Sequence, residues 1–275
     1  MHSRVTISVS IVTYHPDLIL LNKVLDSLGS SLEMAKESGI IGEHEIFLVD
    51  NGRDFETDPT IMTPINKKYL NVKFLTGHGN VGYGLGNNLA FESSTGDYFV
   101  VLNPDVILEP KTMTSALSFM STNNDCGLLA PAAFDHQGGK LSICKRYPSV
   151  IDLAVRGFLP RRLRKLFASR LAKYEMQDLL NQESIFWNPD LVSGCFMLFR
   201  REVFSLLQGF SPKYFMYFED FDISIRTRKI SAIAYVPSVK IDHYGGNASR
   251  KGLKHILMFC ISAYRFFVTH GWQWI

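Results

Sequence analysis

Three carboxylates lie within a strongly aromatic stretch of the sequence. The segment YFMYFEDFD, residues 214–222, surrounds Glu219, Asp220 and Asp222 with five aromatic side chains. Burying unpaired carboxylates in apolar surroundings costs free energy, so we do not expect these acids to serve packing alone. A desolvated carboxylate has a raised proton affinity, which suits it to accept a proton from a reacting group. The segment therefore contains a candidate general base.

A second acidic group follows FVVL, an apolar run at residues 99–102 that is typical of a buried strand. The chain continues with Asn103, Pro104 and Asp105. A carboxylate at a strand end can hold Mg2+ or Mn2+, hard cations that take a few protein oxygens and complete their coordination with substrate phosphates. Alternatively, Asp105 caps the amides of a local turn. The residues by themselves leave both interpretations open.

A glycine-rich motif, HGNVGYGLGNN, occupies residues 78–88. Its glycines are spaced as GxGxG, one position short of the dinucleotide fingerprint GxGxxG, and no acidic residue closes a βαβ unit about twenty residues later. The motif is therefore a weak fit to a dehydrogenase. Glycines still allow the backbone to approach a ligand at a helix N-terminus, where Asn87 and Asn88 would supply amides. A tight turn with a glycine-rich cap is the alternative.

Composition restricts the classes of protein to which these motifs can belong. The chain has 275 residues, 46% of them hydrophobic, and can bury a large core in one or two domains. A formal net charge of +3 is too small to indicate a nucleic-acid partner. The four cysteines form no CxxC pair, so we expect neither a zinc site nor disulfides, and a reducing, cytoplasmic location. The apolar runs are too short or too interrupted for a signal peptide or a spanning helix.

The elements that must position these residues alternate along the first hundred residues. Apolar runs such as VTISVSIVT, EIFLVD and DYFVVLN are separated by helical patterns such as LILLNKVLDSL. This order predicts an α/β fold with a mostly parallel sheet that is covered on both faces. Ligands of such sheets bind beyond the carboxyl ends of the strands. The polar residues at those ends are Thr13 and Tyr14, Asp50 and Asn51, Asn80 to Gly86, and Asn103 to Asp105.

The motifs occur in the same order in family 2 glycosyltransferases, which the sequence resembles from Val5 to His243. The resemblance rests on Asp50 and Asn51, NVGYGLGNN at 80–88, LNPD at 102–105, VSGCFMLFRREVF at 192–204, GFSPKYFMYFEDFD at 209–222 and His243. The closest branch is that of bacterial rhamnosyltransferases of O-antigen and cell-wall polysaccharide assembly. The resemblance implies a GT-A fold, which has a mixed, mostly parallel central sheet flanked by helices, here with a C-terminal helical region. It also implies a nucleotide-diphospho-sugar donor, a divalent cation and inversion at the anomeric carbon.

The resemblance implies a role for each motif. Asp220 matches the catalytic base of the family, which accepts the proton of the acceptor hydroxyl, and Asp105 matches its metal-binding aspartate. His243 would approach the same cation, Mg2+ or Mn2+, although a lone histidine at a strand end is usually structural. The residues assigned to the nucleotide-sugar are Thr13, Tyr14, Asp50, Asn51, Asn80, Gly82, Asn87, Asn103, Arg250 and Lys251, and those assigned to the acceptor are Trp187 and Glu219.

Two positions depart from the pattern of the family. Tyr14 is followed by His15 where members commonly carry asparagine, and the metal motif begins with Asn103 in place of aspartate. The second change leaves Asp105 as the one carboxylate of the motif. We expect Asp222 to cap the helix that starts near it or to pair with Arg226, four residues later.

These motifs divide the chain into three predicted parts. Residues 1–110 form the nucleotide-sugar half, residues 111–250 the acceptor-binding and catalytic half with a basic helical insert at about 150–182, and residues 251–275 an amphipathic helical segment. The insert and the C-terminal segment interleave basic with apolar residues, which favours peripheral contact with the inner face of the cell membrane. Alternatively, these helices cover the sheet or form a homodimer interface.

The predicted function is that of an inverting hexosyltransferase of surface polysaccharide or lipopolysaccharide biosynthesis. By resemblance, it moves rhamnose from dTDP-rhamnose to a saccharide acceptor, either an oligosaccharide or a sugar on a polyprenyl diphosphate. A sugar nucleotidyltransferase usually carries a basic, glycine-rich signature near the N-terminus, which SIVTYHPD lacks. A non-catalytic module that binds saccharide or lipid carrier would be favoured if Asp220 or Asp105 were absent, and both are present.

Overall fold

A computed structural model describes residues 4–62, 65, 68, 71–180, 184–245 and 252–275. Its strands are β1 (Val5–Thr13), β2 (Ile41–Asp50), β3 (Val72–Leu75), β4 (Tyr98–Leu102), β5 (Val106–Leu108), β6 (Cys126–Phe134), β7 (Lys140–Leu141), β8 (Cys144–Lys145), β9 (Phe186–Trp187), β10 (Leu191–Val192), β11 (Phe196–Arg200) and β12 (Ala232–His243). Its α-helices are α1 (Leu18–Glu37), α2 (Asp54–Thr57), α3 (Tyr83–Ser93), α4 (Thr112–Thr122), α5 (Val150–Phe158), α6 (Arg161–Arg164), α7 (Ala168–Tyr174), α8 (Gln177–Leu180), α9 (Arg201–Leu206), α10 (Glu219–Arg228) and α11 (Leu253–His270). The predicted alternation of strand and helix in the first hundred residues is confirmed.

One large sheet organises the described residues. Its strand order is β3-β2-β1-β4-β11-β6-β12-β5, with β7 beside β6 and β9 beside β12. Strands β1 to β4 are parallel, β11 runs antiparallel between β4 and β6, and β12 is parallel to β6. The predicted mixed, mostly parallel sheet is therefore confirmed. Because β11 is antiparallel to both of its neighbours, the carboxyl ends of β1, β2, β4 and β12 lie at the same edge.

The main core lies between this sheet and the helices on its two faces. Every residue of β4 is buried, and so are seven consecutive residues of β1, from Ile7 to Thr13. Strands read as continuous apolar runs when both of their faces are covered. Helix α1 buries one side through leucines and valine at helical spacing, namely Leu21, Val24, Leu25, Leu28 and Leu32. The sheet is thus rigidly held where its strands end.

A second, aromatic core joins α10 to α11. Phe266 of α11 is fully buried, and its ring centroid lies 5.3 Å from that of Phe218 and 6.0 Å from that of Phe221. Tyr214 is also fully buried in this cluster, whereas Phe215 is 40% exposed. Most aromatic residues around the candidate base therefore pack in a core, and the C-terminal helix supplies the other side of that core.

The opposite side of α11 carries an exposed apolar stripe, formed by Leu253, Leu257, Ile261, Tyr264 and Val268. Beyond the helix, the rings of Trp272 and Trp274 stack with centroids 5.2 Å apart. The carbonyl of Gln273 accepts a hydrogen bond from the Val150 amide at the start of α5. The C-terminus therefore packs beside the beginning of the basic insert. In the parts of the chain that the structure describes, no helix combines the length and apolarity needed to cross a bilayer.

Replacing Phe266 with alanine tests the aromatic core. We expect Phe266→Ala to lower the free energy of unfolding by about 3–5 kcal/mol, because a fully buried ring is lost and the surrounding rings collapse incompletely. Urea unfolding followed by circular dichroism measures the change. Leu257→Ala, on the exposed stripe of the same helix, should change the free energy by less than about 0.5 kcal/mol. Equal effects of the two substitutions would contradict this account of the core.

Candidate functional site

The ends of β1 and β2 bring two of the predicted residues together. The Thr13 hydroxyl donates to the carbonyl of Val49 at 3.1 Å, and the Asn51 amide donates to the carbonyl of Thr13 at 3.0 Å. Tyr14, the next residue, is 56% exposed beyond this edge. The parallel pairing of β1 with β2 therefore fixes the backbone here, and the Tyr14 ring stays exposed while it packs against His15, with centroids 4.4 Å apart.

The glycine-rich loop docks on the end of β2. The Asn51 side-chain amide donates to the Gly82 carbonyl at 3.0 Å, and the Asn80 side-chain oxygen accepts from the Gly82 amide at 3.0 Å. Gly82 has a φ of 88°, and a Cβ atom there would lie 2.2 Å from the carbonyl oxygen of Phe215. Only glycine permits this conformation and this close approach. The loop therefore joins β2 to the segment that carries the candidate base.

Two predicted nucleotide contacts have partners within the protein. The Asp50 carboxylate accepts hydrogen bonds from the amides of Asp54, Phe55 and Glu56, so it caps α2. Asn87 donates to the Tyr83 carbonyl at 2.9 Å, while its Oδ1 is buried with no hydrogen-bond partner among the described residues. Asp50 thus positions the loop that contains Asn51, and Asn87 retains an acceptor oxygen for a further contact.

The turn after β4 meets the end of β12. Val106 pairs with His243 in the antiparallel β5–β12 ladder, which brings Asp105 Oδ1 to 3.3 Å from His243 Nε2. The carbonyl of Asp105 accepts from the Tyr244 amide at 2.9 Å. A Cβ atom on Gly245 would lie 2.0 Å from Asp105 Oδ2, so the backbone passes directly against this pair. The structure thus brings the two predicted metal ligands together.

The Asp105–His243 pair fits a divalent cation that also binds a substrate. Asp105 Oδ1 is buried and forms no hydrogen bond within the described part of the chain. Leaving such an oxygen unsatisfied costs about 1–3 kcal/mol, which a bound cation would remove. No group of three His, Cys, Asp or Glu side chains suited to a metal occurs among the described residues. One carboxylate and one imidazole would therefore hold Mg2+ or Mn2+ together with phosphate oxygens and water.

Asp220 lies at the N-terminus of α10 and is held by backbone amides. Its Oδ2 accepts from the Gly194 amide at 3.0 Å, and its Oδ1 accepts from the Phe221 amide at 2.9 Å. The Cβ atom of the adjacent Glu219 lies near Gly84 at the start of α3, and its Oε2 is buried without a partner among the described residues. Of the two neighbouring acids, Asp220 is therefore the one held by backbone amides.

Burial changes the proton affinity of both acids. Burial, with the Asp220 charge adding to it, raises the pKa of Glu219 to about 8. Burial also raises the pKa of Asp220, but the Lys145 charge and the Gly194 and Phe221 amides oppose the rise. With a pKa of about 8, Glu219 keeps its proton at neutral pH. The Lys145 charge and the two backbone amides favour the ionised form of Asp220, which makes Asp220 the better candidate for the group that accepts a proton.

A strained turn aims Asp220 at Gly194. Tyr217 and Phe218 have φ angles of 68° and 65°, a left-handed conformation that costs bulky residues about 1–2 kcal/mol each. Helix α11 holds the turn: the Tyr217 hydroxyl and His255 Nδ1 lie 2.9 Å apart, and the Ser262 hydroxyl donates to the Met216 carbonyl at 2.8 Å. The C-terminal helix is therefore part of the support of the candidate base.

Asp222 has a structural role in the same region. Its carboxylate contacts Arg226 Nε at 2.7 Å and His270 Nε2 at 2.8 Å, so the predicted pairing with Arg226 is confirmed. Burial by itself would raise the pKa of Asp222, but the His270 hydrogen bond and the Arg226 charge lower it below its usual value. The ionised carboxylate therefore ties the end of α11 to α10.

The structure does not bring every predicted residue to this edge. Trp187 pairs with Ala234 near the start of β12, whereas His243 lies at the end of that strand. The two ends are roughly 25–30 Å apart along the chain. The Trp187 ring packs against Phe119 instead, with centroids 5.6 Å apart. Arg250 and Lys251 lie outside the described residues.

Two residues to which the sequence analysis assigned no role lie close to Asp220; one of them, Gly194, belongs to the quoted motif at 192–204. Gly194 supplies the amide that holds Asp220, and its carbonyl accepts from the Tyr83 hydroxyl at 2.7 Å. Lys145 is buried on β8, with its Nζ 5.6 Å from the centroid of the Phe221 ring. The only sequence signal for Lys145 is a basic residue beside the apolar SIC run, which is too common to identify a site.

Comparison with known sequences supports the resemblance. The profile described as Glycosyl transferase family 2 matches residues 8–207. An N-acetylglucosaminyl-diphospho-decaprenol L-rhamnosyltransferase of Mycobacterium tuberculosis is 27% identical over 277 residues, which cover 96% of this chain and 84% of that protein. Rhamnosyltransferase WbbL of Escherichia coli is 23% identical over 252 residues, covering 87% of this chain and 84% of that protein. The resemblance drawn from the motifs is therefore confirmed.

Comparison with solved structures confirms the predicted GT-A fold. The mannosyltransferase PcManGT of Pyrobaculum calidifontis, in complex with GDP-Man and Mn2+, superposes with a TM-score of 0.61 at 14% identity, over 96% of this chain and 65% of that one. GalNAc-T7 with UDP, GalNAc and Mn2+ gives a TM-score of 0.61 at 14% identity, over 89% of this chain and 45% of that one. Both solved structures contain Mn2+ and a nucleotide or nucleotide sugar.

The raised pKa of Glu219 predicts how stability depends on pH. Between about pH 5 and 8, Glu219 is ionised in the unfolded chain but protonated in the fold, so this group makes stability fall as pH rises. Glu219→Gln removes the titration. We therefore expect the variant to gain stability relative to the wild type from pH 5 to 8, as measured by urea unfolding at each pH. The exposed Glu202→Gln is the control, and parallel profiles for wild type and Glu219→Gln would contradict the burial argument.

Proposed function

Because the chain belongs to glycosyltransferase family 2, we propose that it is an inverting transferase that moves rhamnose from a nucleotide diphosphate donor, dTDP-rhamnose, to a lipid-linked saccharide. One observation carries the proposal. The Gly194 amide holds Asp220, and the carbonyl of the next residue, Cys195, accepts from the Asn103 amide at 2.9 Å. Gly194 and Cys195 thus anchor the candidate base and the turn that would bind a cation. Transfer from a nucleotide sugar requires both a base for the acceptor and a cation for the departing diphosphate.

The donor occupies the carboxyl edge of the sheet in this proposal. Thr13, Tyr14 and Asn51 would meet the nucleotide, while the Gly82 loop and Asn87 lie beside them at the start of α3. Asn80 and Asn103 complete the assigned contacts through their amides, and Arg250 and Lys251, which lie outside the described residues, remain assigned to the diphosphate. A bound cation on Asp105 and His243 would stabilise the negative charge of the departing diphosphate.

Asp220 acts on the acceptor. Its carboxylate accepts the proton of the attacking hydroxyl while the oxygen forms a bond to the anomeric carbon of the donor. The bond from that carbon to the diphosphate breaks, and the diphosphate leaves with the electron pair. A single displacement of this kind inverts the configuration. Glu219, which keeps its proton, can donate a hydrogen bond that orients the acceptor or a neighbouring group.

We propose that the acceptor is a sugar on a polyprenyl diphosphate. The curated mycobacterial relative is named for an N-acetylglucosaminyl-diphospho-decaprenol acceptor. The apolar stripe of α11, with Trp272 and Trp274, supports such an acceptor because it forms an exposed surface suited to the interfacial layer of a membrane. Basic residues of the insert beside it, such as Arg162 and Lys165, would attract anionic lipid.

A panel of nucleotide sugars tests the proposed activity. The protein is incubated with each sugar nucleotide, Mg2+ or Mn2+ and a lipid-linked saccharide, and the released nucleoside diphosphate is quantified. Release of dTDP from dTDP-rhamnose, with inverted configuration in the product, supports the proposal. Release of pyrophosphate would indicate a nucleotidyltransferase instead, and no release from any donor would reject the transferase assignment.

Replacing the candidate base separates chemistry from donor binding. We expect Asp220→Asn to reduce kcat by about 10²–10⁴-fold, because the amide cannot accept the hydroxyl proton. The Kd for the donor, measured by calorimetry, should stay near the wild-type value. Asp125→Asn, the same substitution at an exposed residue, is the matched control. Wild-type turnover by Asp220→Asn would remove Asp220 from the mechanism.

Removing the carboxylate of the candidate metal site should affect donor binding, which Asp220→Asn should leave unchanged. We expect Asp105→Ala to weaken donor binding in the presence of Mn2+, because the cation would join the protein to the diphosphate. Adding a chelator should weaken donor binding by the wild type and leave Asp105→Ala almost unchanged. If the donor Kd of the wild type is the same with and without chelator, the metal site is misassigned.

Liposome flotation tests the membrane contact. We expect binding that rises with anionic lipid and falls with salt, and that drops when Arg161, Arg162 and Arg164 become glutamate, since each basic residue near the surface contributes about 1 kcal/mol.

The same charge change at Lys23, Lys36 and Lys111, exposed residues on the α1 and α4 side of the sheet, is the control. No flotation of the wild type at low salt would reject the membrane proposal. A stable dimer under those conditions would assign the apolar stripe to a subunit interface instead.

A further inference from the structure

A buried lysine to which the mechanism above assigns no contact with substrate lies close to Phe221, the residue after Asp220. Lys145 is only 6% exposed, and among the described residues no carboxylate forms an ion pair with it. Its Nζ faces the Phe221 ring at 5.6 Å, and the charge of Asp220 acts on it across the site. An ammonium group without an ion-pair partner is costly to bury, so a bound anion would stabilise it there.

The segment from Leu191 to Cys195 orders the groups of the site. Leu191 pairs with Lys145, Gly194 holds Asp220, and Cys195 accepts from the Asn103 amide of the cation-binding turn. Gly194 and Cys195 lie in a turn that follows β10. Lys145 therefore meets this segment from the β8–β10 side, at its first residue, whereas the turn that contains Asp105 meets it at its last residue.

Other polar groups on this side are suited to an anion. The Tyr174 hydroxyl is buried and has no hydrogen-bond partner in the part of the chain that the structure describes. Tyr174 is adjacent to Lys145, since its carbonyl accepts from the Arg146 amide at 2.9 Å. Arg156 acts electrostatically on both side chains and pairs with Glu175 at 3.5 Å. Lys145 and the Tyr174 hydroxyl therefore lie in a buried region where the charges of Arg156, Asp220 and Glu175 act on both of them.

We propose that Lys145 and the Tyr174 hydroxyl bind the sugar-proximal phosphate of a diphosphate-linked acceptor. The inference deepens the proposed function and rests on it. A sugar whose hydroxyl meets Asp220 places its anomeric phosphate about one ring away, on the side away from the donor. The buried ammonium would thus select a charged acceptor over a neutral glycoside, and it would hold the attacking hydroxyl against Asp220.

Two acceptors with the same sugar test this selection. The probes are N-acetylglucosaminyl-diphospho-farnesol and octyl N-acetylglucosaminide, each in detergent with the donor identified by the panel. We expect Lys145→Met to raise KM for the diphosphate acceptor by about tenfold or more, the equivalent of one charge-assisted hydrogen bond. The neutral acceptor should lose less activity than the diphosphate acceptor, because only the effect of the Lys145 charge on the pKa of Asp220 is removed for it. Lys145→Arg should retain part of the preference, and Tyr174→Phe should lose part of it.

Controls separate this role from the alternatives. Lys140→Met, an exposed change on the neighbouring β7, should leave both acceptors unaffected, and the Tm and donor Kd of Lys145→Met should match the wild type. If Lys145→Met loses activity equally with both acceptors, the lysine acts on Asp220 or on the fold, and the proposal is overturned. Unchanged kinetics with both acceptors would also overturn it. If the wild-type enzyme turns over neither probe, the proposal is overturned as well. Failure of the proposed function is a different result: the donor panel would then show no release of a nucleoside diphosphate.

Discussion

The left-handed turn at Tyr217 and Phe218 is the constraint on which the site depends. Two consecutive bulky residues hold positive φ angles there, and this conformation persists only because packing offsets its cost. Phe218 is buried among the aromatic rings of α10 and α11, and hydrogen bonds from His255 and Ser262 reach the turn from α11. The buried face of the C-terminal helix thus packs against the turn and orients the N-terminus of α10. Without that contact, nothing would offset the cost of the left-handed turn, and Asp220 would not be held against the Gly194 amide.

The backbone, more than the side chains, joins the halves of the site. Gly82 approaches the Phe215 carbonyl, Gly245 passes against Asp105, and Gly194 donates its amide to Asp220. At the first two positions a Cβ atom would collide with the opposing segment, so these glycines permit distant parts of the chain to touch. The amide of Gly194 and the carbonyl of Cys195 then connect Asp220 with the turn that contains Asp105. The candidate base and the turn that carries one candidate metal ligand are thereby anchored on one short segment.

The same region leaves several buried polar atoms without partners among the described residues. They belong to Asp105, Asn87, Glu219 and Tyr174, and they lie around the edge where the predicted donor and acceptor meet. Such atoms reduce stability, because burial removes water without supplying a substitute. In the proposed complex, bound substrates would complete the hydrogen bonds of these four side chains. The large parallel sheet and the second aromatic core supply the rigidity that keeps these groups in place.

Local pattern determined much of this protein in advance. Continuous apolar runs separated by helical periodicity predicted the parallel sheet, four-residue spacing predicted the Asp222–Arg226 pair, and the acidic motifs made Asp105 and Asp220 candidates for the site. Only the tertiary structure decided which of the remaining residues share the site. In the structure Asp50 caps α2, and Trp187 lies at the opposite end of β12 from His243. Lys145 lies close enough to Asp220 for the two charges to interact. The reason is physical: periodicity reports the direction of neighbouring side chains, whereas contacts between distant segments depend on strand register and packing, which no local pattern encodes.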